Sequence, residues 1–79
     1  MRRAPRRQLN PFLARRIKQS GTKQRNLAVL AGYTHEQALW TVLQEDRVRA
    51  TPLTIRRLER IADAIGFPRD EIFLDMAKR

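Results

Sequence analysis

The sequence predicts an all-α domain of five helices, the second and third joined so tightly that they must cross steeply. Three observations carry that expectation. Apolar residues recur at three- and four-residue spacing in successive short runs, glycines and cap-plus-proline pairs punctuate those runs, and no stretch alternates as a strand would. A chain of 79 residues accommodates one domain, and domains near this size bury about 60% of their unfolded surface.

Residues 1–9, MRRAPRRQL, carry four arginines and no helical period, and read as a flexible basic arm ahead of a domain over 10–77. Asn10-Pro11 is a helix start, with Asn as N-cap and Pro at the first helical position. Leu13 and Ile17 face inward with Phe12 flanking, and Ser20-Gly21 ends the helix. The second helix opens at Thr22 or Lys23. Its core stripe is Leu27, Leu30 and Ala31, and it stops at Gly32 in a left-handed conformation.

Thr34 is expected to cap the third helix, with Gln37 three residues on as in a capping box. Leu39, Val42 and Leu43 form its inward stripe. Val48 to Ala50 falls in a loop. Thr51-Pro52 then repeats the cap-plus-proline signal. Leu58, Ile61, Ala62 and Ile65 give the cleanest amphipathic period in the chain, stopped by Gly66. A last short helix follows Phe67-Pro68, with Asp70 and Glu71 favouring its N-terminal dipole and Ile72 and Phe73 as anchors.

The charge is segregated. Residues 1–35 hold nine basic side chains and no carboxylate, whereas residues 36–79 hold eight of each sign, so the whole net charge of +9 lies on the N-terminal arm and the first two helices. Segregation of that kind points to a polyanionic partner, because solubility alone does not require it. There is no cysteine, which suits a reducing cytoplasm and excludes disulfides and thiolate metal sites. No apolar run approaches the ~20 residues of a membrane span, and the charged N-terminus lacks the apolar stretch of a secretory signal. His35, the only histidine, has no second ligand or base at catalytic spacing. The expectation is therefore a chain that is not an enzyme and takes no cofactor, metal or small-molecule ligand.

Lys23 to Leu43 is the informative stretch: two short helical runs across a Gly-containing turn, the geometry of a helix-turn-helix. With Q-x-x-L-A-x-x-x-G at Gln24–Gly32 and the closing I-A-D-A-I-G-F-P-x-D-E-I-F at Ile61–Phe73, the chain resembles the phage-repressor and Cro type of helix-turn-helix domain, the lambda-repressor-like or xenobiotic-response-element family. The resemblance covers roughly residues 12–74. It implies sequence-specific binding of double-stranded DNA in transcriptional regulation, usually as a homodimer on a palindromic operator. It also implies a repressor-like role in the cytoplasm of a bacterium or phage-infected host. The family places apolar residues six and nine positions after the Gly. Here those positions are Ala38 and Thr41, and Leu39 and Val42 stand one place later, as a turn longer by one residue requires. The family's Glu and Gly after the recognition helix are replaced by Gln44-Glu45-Asp46-Arg47.

A helical wheel sets the reading face independently of the family. With Leu39, Val42 and Leu43 inward, Gln37, Thr41 and Gln44 point outward, Trp40 lies on the flank, and His35 and Glu36 occupy the N-terminal end. These six are the candidate base-reading residues. Gln pairs two-point with adenine, Thr meets a thymine methyl and Glu accepts from cytosine. The ordinary alternatives are a solvated polar face, domain packing for Trp40, and a helix-dipole role for Glu36.

Gln24 resembles the family residue that holds a phosphate. Lys23 and Arg25 flank it at a helix N-terminus, and Thr34, Arg47 and Arg49 complete the candidate phosphate contacts. Arg2, Arg3, Arg6 and Arg7 of the arm are candidates for a neighbouring minor groove. Phe67, Ile72, Phe73 and Met76 are candidates either for a dimer surface or for the domain's own core. Two other readings compete. A protein-interaction module such as an antitoxin can use the same fold, but only residues 75–79 follow the last expected helix as a partner-binding tail. RNA binding through the basic half lacks an aromatic stacking platform.

Overall fold

The computed structural model describes residues 6–45 and 47–74. The order is β1 (Arg6–Gln8), α1 (Pro11–Gln19), α2 (Gln24–Ala31), α3 (Glu36–Gln44), β2 (Arg47–Arg49), α4 (Pro52–Ile65) and a single 3-10 turn at Arg69–Glu71. The molecule is thus mostly helical, with four α-helices among the described residues. α4 is the scaffold. It packs on α2, α1 and the 3-10 turn, and α2 in turn packs on α3. No helix among the described residues is long and apolar enough to cross a membrane.

Local chemistry accounts for the helix ends. The Asn10 side chain accepts from Phe12 N–H at 3.0 Å, and Thr51 Oγ1 accepts from Thr54 N–H at 3.1 Å. A proline occupies the first turn after each. Asn10 does more than cap. It is 6% exposed, its Nδ2 donates to Glu71 O at 2.8 Å, and its backbone N–H donates to Ile72 O at 2.9 Å. One side chain therefore starts α1 and ties it to the far end of the chain. α2 ends at Gly32 with φ 98°, and Tyr33 N–H bonds back to Ala28 O at 2.9 Å. A Cβ on Gly32 would meet nothing closer than Arg57 Nε at 3.9 Å. Glycine is required there for its backbone conformation, not for space.

The core draws on the four α-helices, β2 and the segments that flank them: Leu9, Leu13, Ile17, Leu27, Ala28, Ala31, Leu39, Leu43, Val48, Ala50, Leu58, Ile61, Ala62, Phe67, Ile72 and Phe73. α3 sits in the register the wheel requires, with Leu39 and Leu43 buried, Ala38 and Val42 half-buried and Thr41 exposed.

Several expectations are corrected. Residues 6–9 do not belong to a free arm: β1 pairs antiparallel with β2, Arg6 opposite Arg49, Arg7 opposite Val48 and Gln8 opposite Arg47. Leu9 is buried and bridges Phe73. Residues 1–5 lie outside the described residues. Val48, expected in a loop, is the buried centre of a strand. The fold is accordingly not purely α, and among the described residues the start of the expected fifth helix is a 3-10 turn at Arg69–Glu71, followed by the buried anchors Ile72 and Phe73. Leu30, read as part of the inward stripe of α2, is 51% exposed, and Phe12, expected to flank the stripe of α1, is 56% exposed. α1 and α2 bury narrow stripes, and these residues stand at their edges. Thr34 does not cap α3. The cap position is His35, without a side-chain bond, because the turn runs through residue 35.

Candidate nucleic-acid interface

α3 presents Glu36, Gln37, Thr41 and Gln44 to solvent, with His35 exposed just before it. The buried Leu39 and Leu43 on the opposite side hold this face outward. Thr41 Oγ1 donates to Gln37 O at 2.9 Å. Its hydroxyl hydrogen is therefore spent inside the helix, and the groups it offers outward are its methyl and an oxygen lone pair. Trp40 is half-buried and packs against the core. The ammonium of Lys18, on α1, lies 5.3 Å from the centre of its ring. This contact fixes the flank of α3 against α1, and a sequence read one helix at a time has no signal for it.

The start of α2 lies against the start of α3. Gly21, Lys23, Gln24, Arg25, Asn26 and Glu36 line one cleft of about 670 Å³. Lys23 occupies the cap position of α2, and no side chain bonds to the first turn of that helix. The first-turn N–H groups, the positive end of the helix dipole and two cationic side chains thus converge on the cleft mouth, an arrangement suited to an anion. Lys23 and Arg25 are exposed and Gln24 is half-buried. Glu36 stands in the same cleft with a carboxylate, which disfavours a phosphate at that end.

The other predicted residues are dispersed. Thr34 is exposed in the turn. Arg47, Arg49 and Arg6 are exposed on the paired strands. Arg7 turns inward, with its guanidinium 4.6 Å from the centre of the Phe73 ring. Arg2, Arg3 and Met76 lie outside the described residues. Phe67, Ile72 and Phe73 are buried in the domain's own core and offer no dimer surface.

Behind the turn, Arg57 of α4 stacks over Tyr33 at 4.7 Å. Burial pushes the Tyr33 hydroxyl above its ordinary pKa, against the opposing pull of the Arg57 charge. This contact braces the α2–α3 turn from the scaffold helix. The described residues contain no cluster of three His, Cys, Asp or Glu able to hold a metal ion.

Comparison of the chain with family models, curated proteins and solved structures gives no match. The functional reading therefore stands on the residues themselves.

Proposed function

We propose that the chain is a sequence-specific double-stranded DNA-binding regulator of the repressor type. α3 lies in the major groove and the start of α2 holds a backbone phosphate. One observation carries the reading: the exposed Gln37–Thr41–Gln44 face belongs to the helix whose first residue, Glu36, shares a cleft with the uncapped, basic start of α2. Base edges need polar side chains with two-point geometry, and phosphates need N–H donors with positive charge. Here the two requirements are met on adjacent elements. Gln37 and Gln44 suit adenine, the Thr41 methyl suits thymine, and Glu36 suits the amino group of cytosine. The segregated charge of the first 35 residues supports a polyanionic partner.

Selection of bound duplexes from a random pool tests the proposal. The expected result is an enriched motif in which substitution of Gln37 or Gln44 relaxes one position each. A motif repeated as a palindrome would report a dimer and its half-site spacing. Recovery of an unenriched pool would refute sequence-specific recognition.

A further inference from the structure

The two-stranded ribbon brings together two basic segments that lie some forty residues apart in the chain. Antiparallel pairing sets Arg6 directly opposite Arg49 and Gln8 opposite Arg47. Arg7 and Val48 take the inward face, Arg7 over the Phe73 ring and Val48 in the core. Arg6, Gln8, Arg47 and Arg49 consequently share the outward face, and all four are exposed. Among the described residues none of these three arginines has a carboxylate partner. Like charges directly opposite in an antiparallel pair destabilise it, and a two-stranded ribbon is marginal in any case. Three-residue strands with two facing guanidiniums are a poor choice for stability alone, and a solubility charge has no need to be paired.

We propose that the outward face of the ribbon is a second contact for the phosphodiester backbone of the same duplex, and that this contact couples DNA binding to the pairing of β1 with β2. Phosphates placed among Arg6, Arg47 and Arg49 relieve the repulsion that opposes pairing, and the Gln8 amide adds a donor. By linkage, a chain with its strands paired binds DNA more tightly than one with β1 released. The contact carries no sequence information, because only the backbone is touched. The proposal rests on the reading that the chain binds duplex DNA.

The test compares the full chain with an Arg6→Gln, Arg47→Gln, Arg49→Gln triple variant, titrated with a random-sequence duplex over a range of salt. Each neutralised phosphate contributes about 0.9 to the slope of log affinity against log salt, so the triple variant should lose about 2.7. Between 50 and 200 mM salt the unmodified chain should then lose about 40-fold more affinity than the variant. The ratio of affinities for an enriched and a random duplex should not change, and the thermal midpoint of the free variant should equal or exceed that of the unmodified chain. Arg49→Glu, which gives Arg6 an opposite charge, should slow amide exchange at residues 6–8 in the free chain while weakening DNA binding. An unchanged salt slope in a variant that still binds overturns the proposal. If the triple variant fails to fold, Arg47→Gln alone should lower the slope by about 0.9, and no change there overturns it equally. Failure of the underlying reading is distinct. A chain that binds no duplex at all refutes both, whereas equal affinity for every duplex refutes sequence recognition and leaves the slope difference intact.

Discussion

The four α-helices begin in two different ways. α1 and α4 start with a side chain bonded to a first-turn N–H and a proline behind it. α2 and α3 start with neither. One ion pair also sets the end of α4 apart from the start of α2. Near the C-terminal end of α4, Asp63 is gripped by both ends of the Arg69 guanidinium, at 2.6 and 3.0 Å, whereas Lys23 and Arg25 at the start of α2 stand exposed beside the cleft. The scaffold helices satisfy their own backbone. The start of α2 leaves N–H donors and positive charge available to an outside acceptor. That difference separates the part of the molecule that maintains the fold from the part proposed to bind. Local rules of stability fail where function requires it.

The comparison can be broken most severely from underneath α3. Leu39 is fully buried while Thr41, two residues away, is exposed. Leu39→Ala should cost about 2–5 kcal/mol of unfolding free energy, and Thr41→Ala less than about 0.5 kcal/mol, both read by chemical denaturation. Similar losses for the two would contradict the register of α3.

The capped starts come next. Asn10→Ala removes the cap and leaves the Glu71 carbonyl without its donor, and should cost about 2 kcal/mol in the same assay. The converse change sharpens the comparison. Lys23→Ser supplies the cap that α2 lacks and should stabilise the fold by up to about 1 kcal/mol. It should also weaken DNA binding more than Lys23→Ala, because the added hydroxyl competes for the N–H groups. Equal binding by the two variants would show that those donors are not used.

Smaller effects depend on pH. Tyr33 has a raised pKa in the folded chain, so the folded state holds its proton longer than the unfolded one. Its contribution to stability is intact below the ordinary tyrosine value of 10.0 and is lost as pH rises through the higher folded value. Tyr33→Phe should flatten that alkaline loss in a series of thermal melts. Asp63 behaves oppositely and more weakly. Hydrogen bonding to Arg69 lowers its pKa, so its contribution is present above the ordinary carboxylate range and is lost as pH falls through the lowered folded value. The pair is exposed, and Asp63→Asn should flatten only the acid limb, by the smallest margin of the set.

Which features were legible in the sequence follows from their range. The caps at Asn10 and Thr51 and the glycine stops at Gly32 and Gly66 are local chemistry, and all four occur where the sequence places them. The wheel recovered the register of α3, because Leu39 and Leu43 dominate its apolar moment. The strands were not legible. Each is three residues long with one inward side chain, too short for an alternating signal, and they pair across some forty residues of intervening chain. Leu30 was misplaced because apolar character does not reveal how wide a stripe the neighbours cover. On the candidate interface, the exposure of Gln37, Thr41 and Gln44 was readable. The Lys18–Trp40 and Arg57–Tyr33 contacts were not, since each joins helices whose approach is set by tertiary packing.

The central claim is that the outward face of α3 reads bases. Competition between an enriched duplex and a scrambled duplex of the same composition, measured for the unmodified chain and for Gln37→Ala and Gln44→Ala, addresses it most directly. The account predicts a preference of about a thousandfold or more for the enriched duplex. Each substitution should reduce that preference by about 5- to 150-fold, equivalent to 1–3 kcal/mol of discrimination, with little change in affinity for the scrambled duplex. Equal affinity for the two duplexes, or a preference that survives both substitutions, would contradict it.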